Sequence, residues 1–319
     1  MLDFTAIAHR ALAHCGVAYR QLRLITDENN AVFQVDDAYS LRITPHGQRT
    51  AAELESELGY LRALGQAGMT NIPQPQAPLF VDAHAEGESY AALFQWLDGQ
   101  VIPTDQHTAE QVRAVAHKIA LLHEFTQTHF TPLANFTRPR YDWEGLFGER
   151  SLYNPHENGR YISRASAVIF DQVAERTDDA MRQLDTGAWA FGLIHADFIF
   201  KNTLFRADGS IAVIDFDNFG WGYWLYDLAC PLWFYRTRPD YTALKGVMLQ
   251  AYTHATGKLH IRMEDHPLLD TFVAARGVAS CRWVAAHADH PAWAGRATAV
   301  IDARAAQIAH WLASGHWQT

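Results

Sequence analysis

The chain has 319 residues, with 49% hydrophobic and 19% charged side chains and a formal net charge of −9 with histidine neutral. That balance fits a globular protein with a substantial core in one large domain or two moderate ones. The acidic excess argues against a general nucleic-acid binder or a binder of anionic membranes.

In chain order, residues 4–14 predict a short amphipathic helix. "YRQLRLI" and "NAVFQVDDAYSLRITP" read as strands, with "TDENN" and "DDAY" as turn-formers, so an antiparallel meander is expected. "TAAELESELGYLRALGQAG" places Leu54, Leu58, Leu61 and Leu64 at helical spacing and ends near Gly65 and Gly68. "NIPQPQAPLFV" is extended and Pro-punctuated, and "ESYAALFQWL" is a further strand. After "DGQVIPTD" the pattern turns helical. "TAEQVRAVAHKIALLHEFTQ" starts from a Thr N-cap, "SAVIFDQVAERTDDAMRQLDT" follows, and the chain from Asp240 onward reads as helix, most clearly in "RATAVIDARAAQIAHWLAS". The expected organisation is a sheet-rich lobe over 1–97 and a mainly helical lobe over 98–319.

Cys15, Cys230 and Cys281 form no CxxC pair, so reduced thiols are expected. The N-terminus lacks the charged start and unbroken apolar centre of a signal peptide. No stretch is long and apolar enough to span a membrane, and a cytoplasmic location is expected. "LLHEFTQTH" sets His123 and His129 six apart, which cannot put both rings on one helix face as a zinc HExxH site needs.

The chemistry gathers in "HADFIFKNTLF" (195–205) and "SIAVIDFDNFG" (210–220). The "RADGS" segment between two apolar runs predicts a hairpin with Asp208-Gly209 at its tip, which would bring Asn202 near Asp215. Asp197, Asn202 and Asp215 then form an oxygen-rich set that suits Mg²⁺ rather than Zn²⁺.

Asp197, four residues, Asn202, and a DF pair beyond a hairpin resemble the catalytic and metal loops of protein-kinase-like phosphotransferases. In the form "HADFIFKN … DFD … GWGYWLYDLA" the chain resembles the aminoglycoside phosphotransferase, homoserine kinase and choline kinase family. The resemblance implies an α+β, two-lobed protein-kinase-like fold. It implies an ATP- and Mg²⁺-dependent kinase acting on a small-molecule hydroxyl: an amino alcohol, a homoserine-like compound, a sugar or an aminoglycoside. A stress-response-type Ser/Thr protein kinase is the alternative; a nucleotide-binding pseudokinase is a further one.

By this resemblance Asp197 accepts or orients the acceptor's proton, and Asn202 and Asp215 hold Mg²⁺. Arg42 of "YSLRI" contacts the α and β phosphates, where the family usually has lysine. Glu57 of "ESELGYL" pairs with Arg42. Gln95, Trp96 and Leu97 of "FQWLDGQ" form the hinge that holds adenine. Where kinases carry a glycine-rich loop, this chain has Asn29 and Asn30, which tolerate left-handed turns. His195 and Lys201 are supporting residues. Asp217 is an added metal ligand or a structural acceptor, and Asp227 is structural. The aromatics of "GWGYWLYD" and "RPRYDWEG" suit core packing, or else a cage for an amine with Asp142 and Glu144 beside it.

Overall fold

The computed structural model describes residues 2–152, 159–256 and 261–317. In chain order the elements are α1 (Phe4–His14), β1 (Leu22–Thr26), β2 (Ala31–Val35), β3 (Tyr39–Thr44), α2 (Ala51–Gln66), β4 (Phe80–His84), β5 (Gly87–Gln95), α3 (Ala109–Thr128), β6 (Arg140–Tyr141), α4 (Trp143–Phe147), α5 (Arg164–Leu184), β7 (Phe191–Ile194), β8 (Thr203–Phe205), β9 (Ile211–Val213), β10 (Gly220–Tyr223), α6 (Trp224–Tyr235), α7 (Tyr241–Ala255), α8 (Leu269–Ala286) and α9 (Ala297–Ser314). The chain divides into two compact units. The first comprises 1–100, 130–138 and 206–217; the second comprises 101–129, 139–205 and 218–319.

The first unit is built on a five-stranded antiparallel sheet in the order β1-β2-β3-β5-β4. β2 alternates buried and half-buried side chains, the period-two pattern that sets one sheet face against a core. That core holds Phe33, Val35, Leu41, Ile43 and Leu93, covered by Ile7, Ala8, Ala11 and Leu12 of α1. α2 begins with a capping box. Thr50 accepts from the Glu53 N–H, and the Glu53 carboxylate accepts from the Thr50 N–H. Its inner face buries Leu54, Glu57, Leu58, Leu61 and Leu64. Glu57 stands out in that row, since a carboxylate reaches such a place only with a partner.

The second unit is mainly helical. α3 repeats the capping box with Thr108 and Gln111. A small sheet in the order β6-β10-β7 lies beside α6. Gly192 in β7 permits that approach, because a Cβ there would lie 1.9 Å from the Trp224 ring. The aromatics of "GWGYWLYD" go largely into packing. Tyr223, Trp224 and Tyr226 are all 3% exposed or less, and Tyr226 stacks on Tyr141. Asp142 caps α4 through the Gly145 N–H and takes a hydrogen bond from Arg140. The core reading of these segments is the one the packing supports.

Among the described residues no helix is long and apolar enough to cross a membrane. Cys15, Cys230 and Cys281 are free thiols, the last two buried.

Candidate active site

In the second unit, β7 leads directly into the His195–Asn202 segment. Ala196 adopts φ +63°, a left-handed conformation that costs a non-glycine residue about 1–2 kcal/mol. The fully buried carboxylate of Asp227, in the first turn of α6, holds this bend. It accepts from the N–H groups of His195 at 2.9 Å and Ala196 at 2.7 Å. His123 of α3 completes the anchor: its Nε2 lies 2.9 Å from Asp227 and its Nδ1 lies 2.9 Å from the Tyr252 hydroxyl.

A neutral imidazole fits these partners, donating from Nε2 to Asp227 and accepting at Nδ1 from Tyr252. Burial pushes the His123 pKa below its ordinary value, although the bond to Asp227 works the other way. For Asp227, burial opposes the charge, yet His123 and the backbone donors outweigh it and hold its pKa low.

The bend presents Asp197, whose carboxylate is engaged at both oxygens. Asn202 Nδ2 donates to Oδ2 at 3.0 Å and also to the Asp197 backbone carbonyl at 3.0 Å. Arg276 of α8 donates from Nη2 to Oδ1 at 2.5 Å. His195 is buried, and its ring Nδ1 accepts from the Asp197 N–H at 3.3 Å, so it orients the loop. Lys201 is exposed on the one-turn 3-10 helix Phe200–Asn202.

In the first unit, Arg42 on β3 and Glu57 on α2 form a bidentate ion pair with contacts of 2.8 and 2.7 Å. Their side chains are 7% and 1% exposed. Burial opposes the Arg42 charge, but Glu57, then Asp217 and Asp215, outweigh it and raise its pKa. Removing one member of such a buried pair strands the other. Glu57→Ala is therefore expected to lower stability by about 3–5 kcal/mol, read from chemical denaturation midpoints. A loss below about 1 kcal/mol would contradict this reading of the pair.

Asp215 follows β9 and, like Ala196, adopts φ +63°. Asp217 belongs to a set of arginines. Arg49 reaches its carboxylate at 3.4 Å, and Arg138 donates to its backbone carbonyl at 2.5 Å and to the Glu53 carbonyl at 3.0 Å. Against the effect of burial, Arg49, Arg42 and Arg138 hold the Asp217 pKa below the usual carboxylate range.

Asn29 and Asn30 differ from expectation. Neither has a positive φ. Asn30 is buried and is one of the groups that lower the Asp217 pKa, while the Asn29 carbonyl accepts from Gln48 at 2.9 Å. Side-chain and backbone partners shape this turn, and left-handed residues do not. The turn before β9 does use one: Gly209 has φ +81°, and the Arg206 N–H donates to the Ser210 carbonyl at 3.0 Å.

In the hinge segment, Gln95 donates its N–H to the Gln74 carbonyl and Trp96 donates to the Ala38 carbonyl. The Trp96 indole N–H reaches Asp98 at 3.1 Å. Sequence reasoning missed Arg49, Arg138 and Arg276, and weighed His123 only as a zinc ligand. Among the described residues, no three His, Cys, Asp or Glu side chains cluster as a metal site.

The model of the phosphotransferase enzyme family matches residues 21–265. Amicoumacin kinase of Bacillus subtilis (strain 168) is 24% identical over 233 residues, covering 70% of this chain and 66% of that protein. An uncharacterized protein of Deinococcus radiodurans is 27% identical over 250 residues, covering 75% of this chain and 68% of its own length. The chain thus spans about two thirds of the length of these curated relatives.

Among solved structures, a microcompartment-associated aminopropanol kinase superposes with a TM-score of 0.84 at 24% identity, covering 98% of each chain. Amicoumacin kinase hAmiN, in complex with AMP-PNP, Ca²⁺ and Ami, superposes with a TM-score of 0.74 at 18% identity, covering 96% of this chain and 93% of that one. At these identities what is shared is the fold, and it is kinase-like. The chain belongs to the phosphotransferase enzyme family.

Proposed function

We propose that the protein transfers the γ-phosphoryl group of ATP to a hydroxyl of a small molecule. The observation that carries this reading is the Asp197 carboxylate. It stands on a bend fixed by Asp227, with Asn202 bonded to it, in a chain whose β3 and α2 supply the buried Arg42–Glu57 pair.

In this reading the acceptor oxygen bonds to the γ-phosphorus as the bond to the ADP oxygen breaks. Asp197 orients the acceptor hydroxyl and receives its proton. Arg42 contacts the α and β phosphates, kept in position by Glu57, and its fork geometry can serve a phosphate as the usual lysine does. Gln95, Trp96 and Leu97 form the hinge that holds adenine, through backbone groups other than the Gln95 and Trp96 N–H, which already donate to Gln74 and Ala38, and the turn at Asn29 and Asn30 covers the phosphates.

Asn202 and Asp215 would hold Mg²⁺. The residues fit that ion. The Asn202 amide nitrogen is spent on Asp197, which leaves its carbonyl oxygen for a hard cation. Mg²⁺ commonly takes only one or two carboxylates, with phosphates and waters completing its shell. When bound, it neutralises charge on the nucleotide phosphates. The solved hAmiN complex holds a nucleotide analogue and a divalent ion, which supports the same pairing here.

Thermal unfolding tests the nucleotide half of the proposal. Mg-ATP at about 100 times its dissociation constant is expected to stabilise the wild type by about 2.7 kcal/mol. Asp215→Ala is expected to lose most of that response. Equal responses in both proteins would remove Asp215 from the metal site.

A further inference from the structure

α8 carries a charged residue in a stretch that is otherwise apolar and closed off from solvent. Phe272, Val273, Ala274, Ala275 and Val278 are each at most 1% exposed, and Arg276 sits among them. An arginine takes such a position only where it has a partner. Its partner is the residue proposed to meet the acceptor hydroxyl. Arg276 Nη2 donates to Asp197 Oδ1 at 2.5 Å, and each side chain is 15% exposed. Gly277 makes that reach possible. A Cβ there would lie 2.5 Å from the Trp233 ring of α6, so the glycine lets α8 lie close against the helix that anchors the Asp197 bend.

The arginine does not satisfy itself best in this place. Its Nε is buried and has no hydrogen-bond partner among the described residues, and a buried donor left unmade is destabilising. The placement serves Asp197 Oδ1 ahead of the arginine's own hydrogen bonding.

The backbone and the carboxylate of the bend are held by different elements. α6 holds the backbone: Asp227 accepts from the His195 and Ala196 N–H groups, and the Cys230 thiol donates to the Ala196 carbonyl at 3.3 Å. None of those bonds involves the Asp197 side chain, whose torsions they leave free. Asn202 restrains Oδ2 from within the same loop, and Arg276 restrains Oδ1 from a separate helix. Attachment at both oxygens fixes the carboxylate plane, whereas attachment at one lets it swing. An ionised carboxylate offers about four acceptor sites, so both oxygens keep capacity for the acceptor hydroxyl.

Resting on the phosphotransferase reading above, we infer that Arg276 is a positioning residue for the reaction: it fixes the plane of the Asp197 carboxylate in the orientation that meets the acceptor hydroxyl. It acts through Asp197 and contacts neither nucleotide nor acceptor. Orientation of a reacting group is converted into rate, and a displacement of about 1 Å costs about 10²-fold. The effect therefore falls on kcat and leaves nucleotide affinity alone.

The test is steady-state transfer of label from γ-³²P-ATP, with Mg²⁺, to a panel of amino alcohols, hydroxy amino acids, sugars and aminoglycosides. Wild type, Arg276→Gln and Arg276→Lys are compared on the acceptor that the wild type labels fastest. Arg276→Gln keeps a neutral donor of shorter reach. It is expected to lower kcat by about 10–100-fold, with the KM for ATP and the thermal response to Mg-ATP unchanged. A single guanidinium nitrogen bonds Asp197, so a lysine can take its place as a point donor of similar reach. Arg276→Lys should therefore hold kcat within about three-fold of wild type. A general packing defect would give neither the split between kcat and KM nor the rescue by lysine.

Wild-type kcat in Arg276→Gln overturns the inference. So does an Arg276→Lys protein as slow as Arg276→Gln, or a KM for ATP that rises as kcat falls. If the wild type labels no acceptor in the panel, it is the phosphotransferase reading that fails, whatever the variants do.

Discussion

Asp197→Ala is expected to retain Mg-ATP binding and to lose phosphoryl transfer by about 10²–10⁴-fold, the range a positioned acid or base contributes. The split follows from where the residue stands. Its backbone and carboxylate bond to His195, Asn202 and Arg276, whereas the proposed nucleotide contacts belong to Arg42, the hinge and Asp215. Removing the carboxylate also leaves Arg276, itself largely buried, without its ionic partner. Some loss of stability should therefore accompany the loss of turnover. Asp197→Asn keeps a hydrogen-bond acceptor and should show the kinetic defect with less of the stability defect. Full turnover in either variant would remove Asp197 from the proposed mechanism, and lost nucleotide binding would mean that the loop supports the nucleotide as well.

Asp227→Ala is expected to cost about 3–5 kcal/mol of stability, because one fully buried carboxylate satisfies three donors. Without it the N–H groups of His195 and Ala196 and the Nε2 of His123 lose their acceptor together. The left-handed bend at Ala196 also loses the bonds that sustain it. Such strain persists only where its surroundings over-determine it, so residual folded protein should carry Asp197 out of place and show a lowered kcat. Denaturant unfolding gives the first quantity and steady-state kinetics the second; near-native values for both would contradict the anchor role.

The same anchor makes the fold acid-labile. His123 has its folded pKa below 6.5, so the unfolded chain takes up that proton first and stability falls as the pH drops below about 6.5. His107 and His266, also lowered by burial, act in the same direction. Asp227 has its folded pKa below 3.8, so its contribution is present above that value and is lost as the pH falls through the folded pKa. The melting temperature should decline steadily from pH 7 to 5, and a flat or rising profile there would refute the neutral-His123 assignment.

The local elements were legible because their signals are local. The amphipathic pattern over Phe4–His14 gives α1 with those bounds, the leucine spacing gives α2, and the Thr108 N-cap marks the start of α3. The order of Arg42, Glu57, Asp197, Asn202 and Asp215 was readable as a spaced motif. What stayed hidden were partners set by the fold alone. Arg276 and Asp197 are 79 residues apart, His123 and Asp227 are 104 apart, and Arg49 and Asp217 are 168 apart. No periodicity or spacing rule links such positions. The turn at Asn29 and Asn30 shows the converse. Residue type permitted a left-handed turn, yet neither residue has a positive φ, and the Asn29 carbonyl is instead held by Gln48.

Transfer of phosphate from ATP to a small hydroxyl compound can be followed with γ-³²P-ATP across a panel of small hydroxyl acceptors with wild-type protein and Mg²⁺. Label is expected on at least one small molecule, dependent on Asp197. Label accumulating on protein alone, or ATP bound and never consumed across the panel, would contradict it.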